Sequence, residues 1–224
     1  MSERMEDGAP VELAMIADIS CPWCYIGLRR LDKALELRPT QDVRLRWWPF
    51  LLNPQLPPEG MDRAAYMRAK FGGDLAARRI YERISEAGEG DGIRFAFERM
   101  RRTPNTVQAH RLILHAQSRG AADAVVRALF RALFEEGRDV GNVRELIDLA
   151  EACGLDRAEI AALLAGRDYA REVVEAHHEA GRLGVRGVPV FIAERQHAVS
   201  GAQSPEVLAG LLDVAAVAGR SASA

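Results

Sequence analysis

The chain has 224 residues, 48% of them apolar and 28% charged, with a formal net charge of −2. That balance fits a folded protein with a sizeable core and excludes a disordered chain. It gives no electrostatic case for nucleic acid or an anionic membrane surface, and three cysteines are too few for a disulfide scaffold.

The first twenty residues lack the basic start, apolar centre and small-residue cleavage site of a secretory signal. No apolar run approaches the roughly 20 residues that span a bilayer. The expected location is cytoplasmic. Val11 to Ser20 is a mostly apolar run of strand length, read as a strand buried on both faces. SCPWC follows at once (Ser20–Cys24), and then Ile26, Leu28, Leu31, Ala34, Leu35 and Leu37 recur near helical spacing until Pro39. A second strand is expected from Val43 to Pro54, with Pro49 marking its edge or end.

Residues 61–183 read as helix after helix, rich in Ala, Leu, Arg and Glu, with no strand-like stretch and no fixed repeat. Asn, Asp and Thr mark helix starts, and Gly120, Gly137 and Gly154 mark stops. The stretch 156–184 reads as one long helix. The pattern then changes: a strand around Val188–Ile192, a turn near Glu194–Gln196 and a strand at His197–Ser200 form a hairpin. Ser204 and Pro205 open a last helix to about Val217, followed by a frayed tail, GRSASA. The fold class is α/β, in the order β-α-β, helices, β-β-α. Residues 1–60 and 184–224 are expected to form one four-stranded unit, interrupted after its second strand by an all-helical domain over 61–183.

Two cysteines at this spacing suit a metal, a structural disulfide or a redox pair. Cys21 falls where a helix begins, so unpaired N–H groups and the partial positive charge favour a thiolate there. Pro22 suits the first turn, and Cys24 lies one turn further in, more buried, as a protonated resolving thiol. Zinc needs two more ligands; Cys153 and the His177–His178 pair show no ligand spacing. Cys153 is expected as a small core residue, and His177 and His178 on a charged helix surface. A redox pair is the stronger reading. In GVRGVPVF, Pro189 is either cis, leaving the Val188 backbone free for an extended substrate, or a trans proline opening an edge strand.

Together DISCPWCYIG (18–27), WWPFLLNP (47–54), NTVQAHRL (105–112), GVRGVPVFI (184–192) and VSGAQSPEVL (199–208) resemble the DsbA-like branch of the thioredoxin superfamily, whose fold carries an inserted helical domain. Within it the chain is most similar to cytoplasmic FrnE-like proteins, relatives of 2-hydroxychromene-2-carboxylate isomerases and kappa-class glutathione transferases. The resemblance implies Cys21 as nucleophile, Cys24 as resolving thiol and Pro189 as a cis-proline facing them. Pro22, Trp23 and Val188 would line the substrate groove, with Phe50 adding to its apolar wall. Asn105 and His110 fall in the segment of the helical domain near that groove. DsbA proper has a histidine between its cysteines; Trp23 stands there instead, implying a less oxidising disulfide. Thioredoxins keep a buried acid at the position of Met15; here Asp18 is the candidate proton relay.

The implied activity is thiol–disulfide exchange with a disulfide-containing protein or small molecule. Glutathione or a thioredoxin-type reductant would recycle the pair, and no cofactor, nucleic acid or membrane is involved. The expected state is a monomer or homodimer. The runner-up is a glutathione-dependent isomerase or transferase, whose relatives commonly carry Ser at the first cysteine; a redox-inert binding module is a third reading.

Overall fold

A computed structural model describes residues 10–222. Its main sheet has the order β2-β1-β5-β6, with β1 (Val11–Ala17), β2 (Val43–Pro49), β5 (Val190–Ala193) and β6 (His197–Ser200). β1 runs parallel to β2, from Val11 opposite Val43 to Ala17 opposite Pro49, and antiparallel to β5. A parallel pair needs a crossover, and α1 (Pro22–Glu36) supplies it. β5 and β6 form the expected hairpin. α9 (Pro205–Ala222) packs against α1, β1, β5 and β6.

Val11, Leu13, Met15 and Ala17 share a buried cluster with Ile26, Leu28 and Leu31 of α1 and Leu208 and Leu212 of α9. Ile16 points the other way, into a smaller cluster with Phe50, Val190 and Ala180. The strand ends at Ala17 rather than Ser20, because Asp18 begins a turn whose carbonyl accepts from the Cys21 N–H at 3.0 Å. β2 stops at Pro49, where the chain leaves the sheet.

Between β2 and β5 come α2 (Arg63–Phe71), α3 (Asp74–Glu89), α4 (Val107–Gln117), α5 (Ala122–Phe134), α6 (Val143–Ala152), α7 (Arg157–Ala165) and α8 (Ala170–Arg182). Asp62, Asn142 and Asp156 cap α2, α6 and α7 by accepting from backbone N–H groups one turn in. α4 and α8 lie against β2. Tyr25 of α1 stacks on Phe130 of α5 with ring centroids 5.2 Å apart, so sheet and helices share one core. Arg30 and Lys33 of α1 both pair with Asp91, just beyond α3.

Three expectations are corrected. Residues 61–183 do contain strands: β3 (Met61–Asp62) pairs antiparallel with β4 (Arg102–Thr103), each too short to show a period-2 pattern. The stretch 156–184 is two helices, broken at Gly166–Tyr169, where Tyr169 takes a φ of 60°. The last helix continues past Val217 to Ala222, since a helix already nucleated propagates through Gly219 with one bond gained per residue; of the expected tail, Ser223 and Ala224 lie outside the described residues.

Candidate active site

Cys21 is the N-cap of α1, with extended backbone (φ −96°, ψ 112°) and a side chain that makes no capping bond. Its thiol is thus not used in capping and contacts the Val188 carbonyl instead. Pro22 takes the first turn, which contains no acidic side chain to offset the positive helix end. Cys21 is 5% exposed and Cys24 is fully buried, in hydrogen-bond contact with Cys21; both are free thiols. Burial, then the neighbouring Cys21 thiol, pushes the Cys24 thiol well above its ordinary value.

Opposite the thiols, the Val188–Pro189 peptide is cis. The Cys21 Sγ lies 3.6 Å from the Val188 carbonyl oxygen. Helix α1 approaches this turn closely: a Cβ on Gly27 would come within 2.9 Å of Pro189 Cγ and 3.3 Å of Phe191 Cζ. Glycine is required there by space.

Behind the cysteines sits a buried polar cluster. Asp18 Oδ1 accepts from the Ser20 N–H at 2.9 Å and Oδ2 from the Leu52 N–H at 2.7 Å. The His110 Nε2 lies 3.7 Å from Asp18 Oδ1, and both side chains are almost wholly buried. Burial alone would raise the Asp18 carboxyl, but His110 and the two N–H donors outweigh it and hold the group below its ordinary 3.8. The Asp18 backbone N–H reaches the Cys24 sulfur, and the Asp18 charge acts on that thiol.

A cleft of ≈ 340 Å³ opens beside Cys21. Ser20, Cys21, Pro22 and Trp23 form one side, and α2 and α3 supply Arg63, Tyr66, Lys70 and Tyr81 on the other. Trp23 stands 36% exposed at this edge. Phe50, expected in the groove, is buried instead against Ile16 and Ala180. Val188 and Pro189 meet the thiol through the Val188 carbonyl and are not among the residues lining the cleft.

Asn105 is not at the thiols. Its amide donates to Leu56 O at 2.8 Å and its Oδ1 accepts from the Val107 N–H at 3.0 Å, tying the start of α4 to the loop after β2. Residue-by-residue reading missed His177. Expected on the surface, it is half-buried, accepts from the Leu51 N–H at 3.2 Å and packs edge-on to Phe50 at 4.8 Å. Burial and His178 lower it below the ordinary histidine value, while Asp18 pulls the other way. Nothing in its helix spacing signals this, because α8 meets β2 only through the fold. Cys153, expected in the core, is half-buried at the C-terminal end of α6, away from this site.

The β-α-β and β-β-α halves, with a thiol pair at the first helix start, define a thioredoxin-type protein. Residues 12–213 match the DSBA-like thioredoxin domain, and the chain belongs to that family. It is similar to a crystal structure of a probable DsbA oxidoreductase from Streptomyces coelicolor, with 31% identity, a TM-score of 0.83 and coverage of 92% of this chain and 89% of that one. A curated relative, the uncharacterized protein YwbO of Bacillus subtilis, is 25% identical over 183 residues, 81% of this chain and 86% of its own. The cytosolic disulfide reductase DsbM of Pseudomonas aeruginosa shares the fold at 23% identity and a TM-score of 0.63, covering 91% of this chain and 97% of that one. A 2-hydroxychromene-2-carboxylate isomerase shares it at 17% identity and a TM-score of 0.64, covering 95% and 98%. Among the described residues no helix is long and apolar enough to cross a membrane.

Proposed function

We propose that this chain is a cytoplasmic thiol–disulfide oxidoreductase of the FrnE type. The observation that carries the reading is the pairing of a reachable Cys21 at a helix start with a buried Cys24 behind it, at the edge of a cleft. The Cys21 thiolate attacks one sulfur of a bound disulfide, forming a mixed disulfide and releasing one thiolate. Cys24 then loses its proton and attacks Cys21 Sγ, releasing the second thiolate and closing the Cys21–Cys24 disulfide. Two electrons pass from the dithiol to the substrate. The reverse sequence oxidises a substrate dithiol, and a thiol donor such as glutathione or a thioredoxin-type protein restores the reduced pair.

In this reading Pro22 and Trp23 shape the approach to Cys21, while the Val188 backbone and Pro189 hold an extended substrate. Asp18 carries the proton that Cys24 must lose, and His110 keeps that carboxylate charged. Asn105 acts at a distance by fixing the start of α4. An isomerase that uses glutathione has no need of a second thiol. Cys24, packed against Cys21, therefore favours exchange. Insulin disulfide reduction with dithiothreitol tests this: Cys21→Ser abolishes turnover, and Cys24→Ser accumulates mixed disulfides visible by mass. Retained turnover in Cys21→Ser removes it as the nucleophile. Isomerisation of a hydroxychromene carboxylate surviving Cys24→Ser restores the second reading.

A further inference from the structure

We infer that the cleft beside Cys21 selects disulfides borne on acidic peptide segments, through Arg63, Lys70 and Arg83. The inference rests on the exchange reading above and names its substrate class.

Among the described residues, the cleft's cations meet no carboxylate. The lining includes three cationic side chains and, among the described residues, no Asp or Glu. Elsewhere the pattern is different: Asp91 neutralises Arg30 and Lys33, Asp213 meets Arg38, and Asp32 meets Arg127. Arg63 instead donates Nε–H to the Tyr81 hydroxyl at 2.8 Å and Nη1–H to Thr103 Oγ1 at 3.2 Å. Its guanidinium lies 5.4 Å from the Tyr81 ring and 5.8 Å from the Tyr66 ring. Lys70 donates to the Tyr66 hydroxyl at 2.5 Å and sits 5.1 Å from that ring. These neutral partners hold both cations in place without cancelling their charge. Arg83 stands exposed at the rim.

Leu52, Met67 and Ile84 supply apolar walls, which exclude water and strengthen the field of the cations. A carboxylate entering here meets positioned donors and gives up little hydration without return. The cleft holds a few side chains, not a folded domain. The Val188 carbonyl lies 3.6 Å from Cys21 Sγ. An extended chain laid across the thiol would meet both this main-chain segment and the cations of the cleft, which suits a peptide segment flanking its own cysteine.

The test uses reduced full-length protein and one peptide sequence, dimerised through a cysteine disulfide, with Asp, Gln or Lys flanking that cysteine. The dithiol supplies both electrons, and single-turnover rates are followed by the fluorescence of Trp23. The expected order is Asp, Gln, Lys, with Asp ahead of Gln about tenfold at low salt and the gap closing at ~0.5 M NaCl. The Lys70→Gln/Arg83→Gln double variant, altered at exposed residues, lowers the Asp-to-Gln ratio several-fold, with Arg63 left to sustain the remainder. Equal rates for the three peptides, or an unchanged ratio in the double variant, overturn the inference. Uncharged hydroxyethyl disulfide separates the two readings. If the wild-type protein reduces it while showing no charge preference, the exchange reading stands and this inference falls; if it is not reduced, both fall.

Discussion

A carboxylate with no exposed surface keeps its charge only where donors surround it, and Asp18 has two N–H groups and His110 around it. Asparagine at this position offers one acceptor atom, so one of the Ser20 and Leu52 N–H groups loses its partner. Asp18→Asn is expected to cost about 1–3 kcal/mol at pH 7. Because the folded value of Asp18 is lowered below 3.8, its contribution is present above about pH 4 and is lost as pH falls through the lowered value. Urea unfolding of wild type and variant at pH 7 and pH 3 checks this; a difference that does not shrink in acid contradicts it. If Asp18 relays the proton of Cys24, the same variant also resolves mixed disulfides more slowly at neutral pH, and an unchanged rate removes that role. Cys24 behaves oppositely. Its raised thiol favours the reduced fold below about pH 9, and that contribution is lost as pH rises through the raised value. Asp18, Cys21 and Cys24 were legible in the sequence because one turn of chain contains all three. His177 gave no such signal, since 159 residues separate it from Asp18 in chain order, and His110, 92 residues away, was placed near the groove only by the family resemblance.

At the scale of elements, α1 does two things at once: its start presents Cys21, and its second turn closes on Pro189 and Phe191. Gly27 permits the second. With Pro189 Cγ at 2.9 Å from any added Cβ, Gly27→Ala must push the Pro189 turn outward or displace α1. The expected cost is about 1–3 kcal/mol, with a faster alkylation of Cys21 as Val188 moves off it. Unchanged stability and alkylation would show that the turn gives way freely. Periodicity read the elements well where they are long: α3 is one of the Ala-, Arg- and Glu-rich helices expected over 61–183. It failed at the α7–α8 break, where Gly166 through Tyr169 interrupt a sequence of high helix propensity, and at β3 and β4, whose paired residues lie 42 and 40 positions apart in the chain. Propensity describes neighbours along the chain, and these features are set by neighbours across it.

For the whole molecule, the question is whether the helices between β2 and β5 unfold with the sheet. Tyr25, Phe95, Phe130 and Phe134 form one aromatic contact group, drawing α1 onto α5. All three tryptophans lie in the sheet portion, at 23, 47 and 48, whereas most helical residues lie between 63 and 182. Trp47 and Trp48 touch α4 and α8, so tryptophan fluorescence reports on the seam between sheet and helices, whereas far-ultraviolet circular dichroism reports mostly on the helices. Their thermal transitions are expected to coincide, and Phe134→Ala, at a fully buried ring, to lower both together by about 3–5 kcal/mol. Separate transitions would mean that the helices form an independent unit. The amino-acid sequence by itself determined the β-α-β and β-β-α order and placed a cysteine pair at the strand-to-helix turn, because spacing, caps and breakers act over a few residues. Tertiary structure alone decided that His177 joins His110 behind Cys21 and that Arg63, Lys70 and Arg83, among the described residues, meet no carboxylate beside it; the facing of Pro189 and the nearness of His110 were already implied by the family resemblance. Those contacts join segments far apart in the chain, and packing, which no local pattern encodes, brings them together.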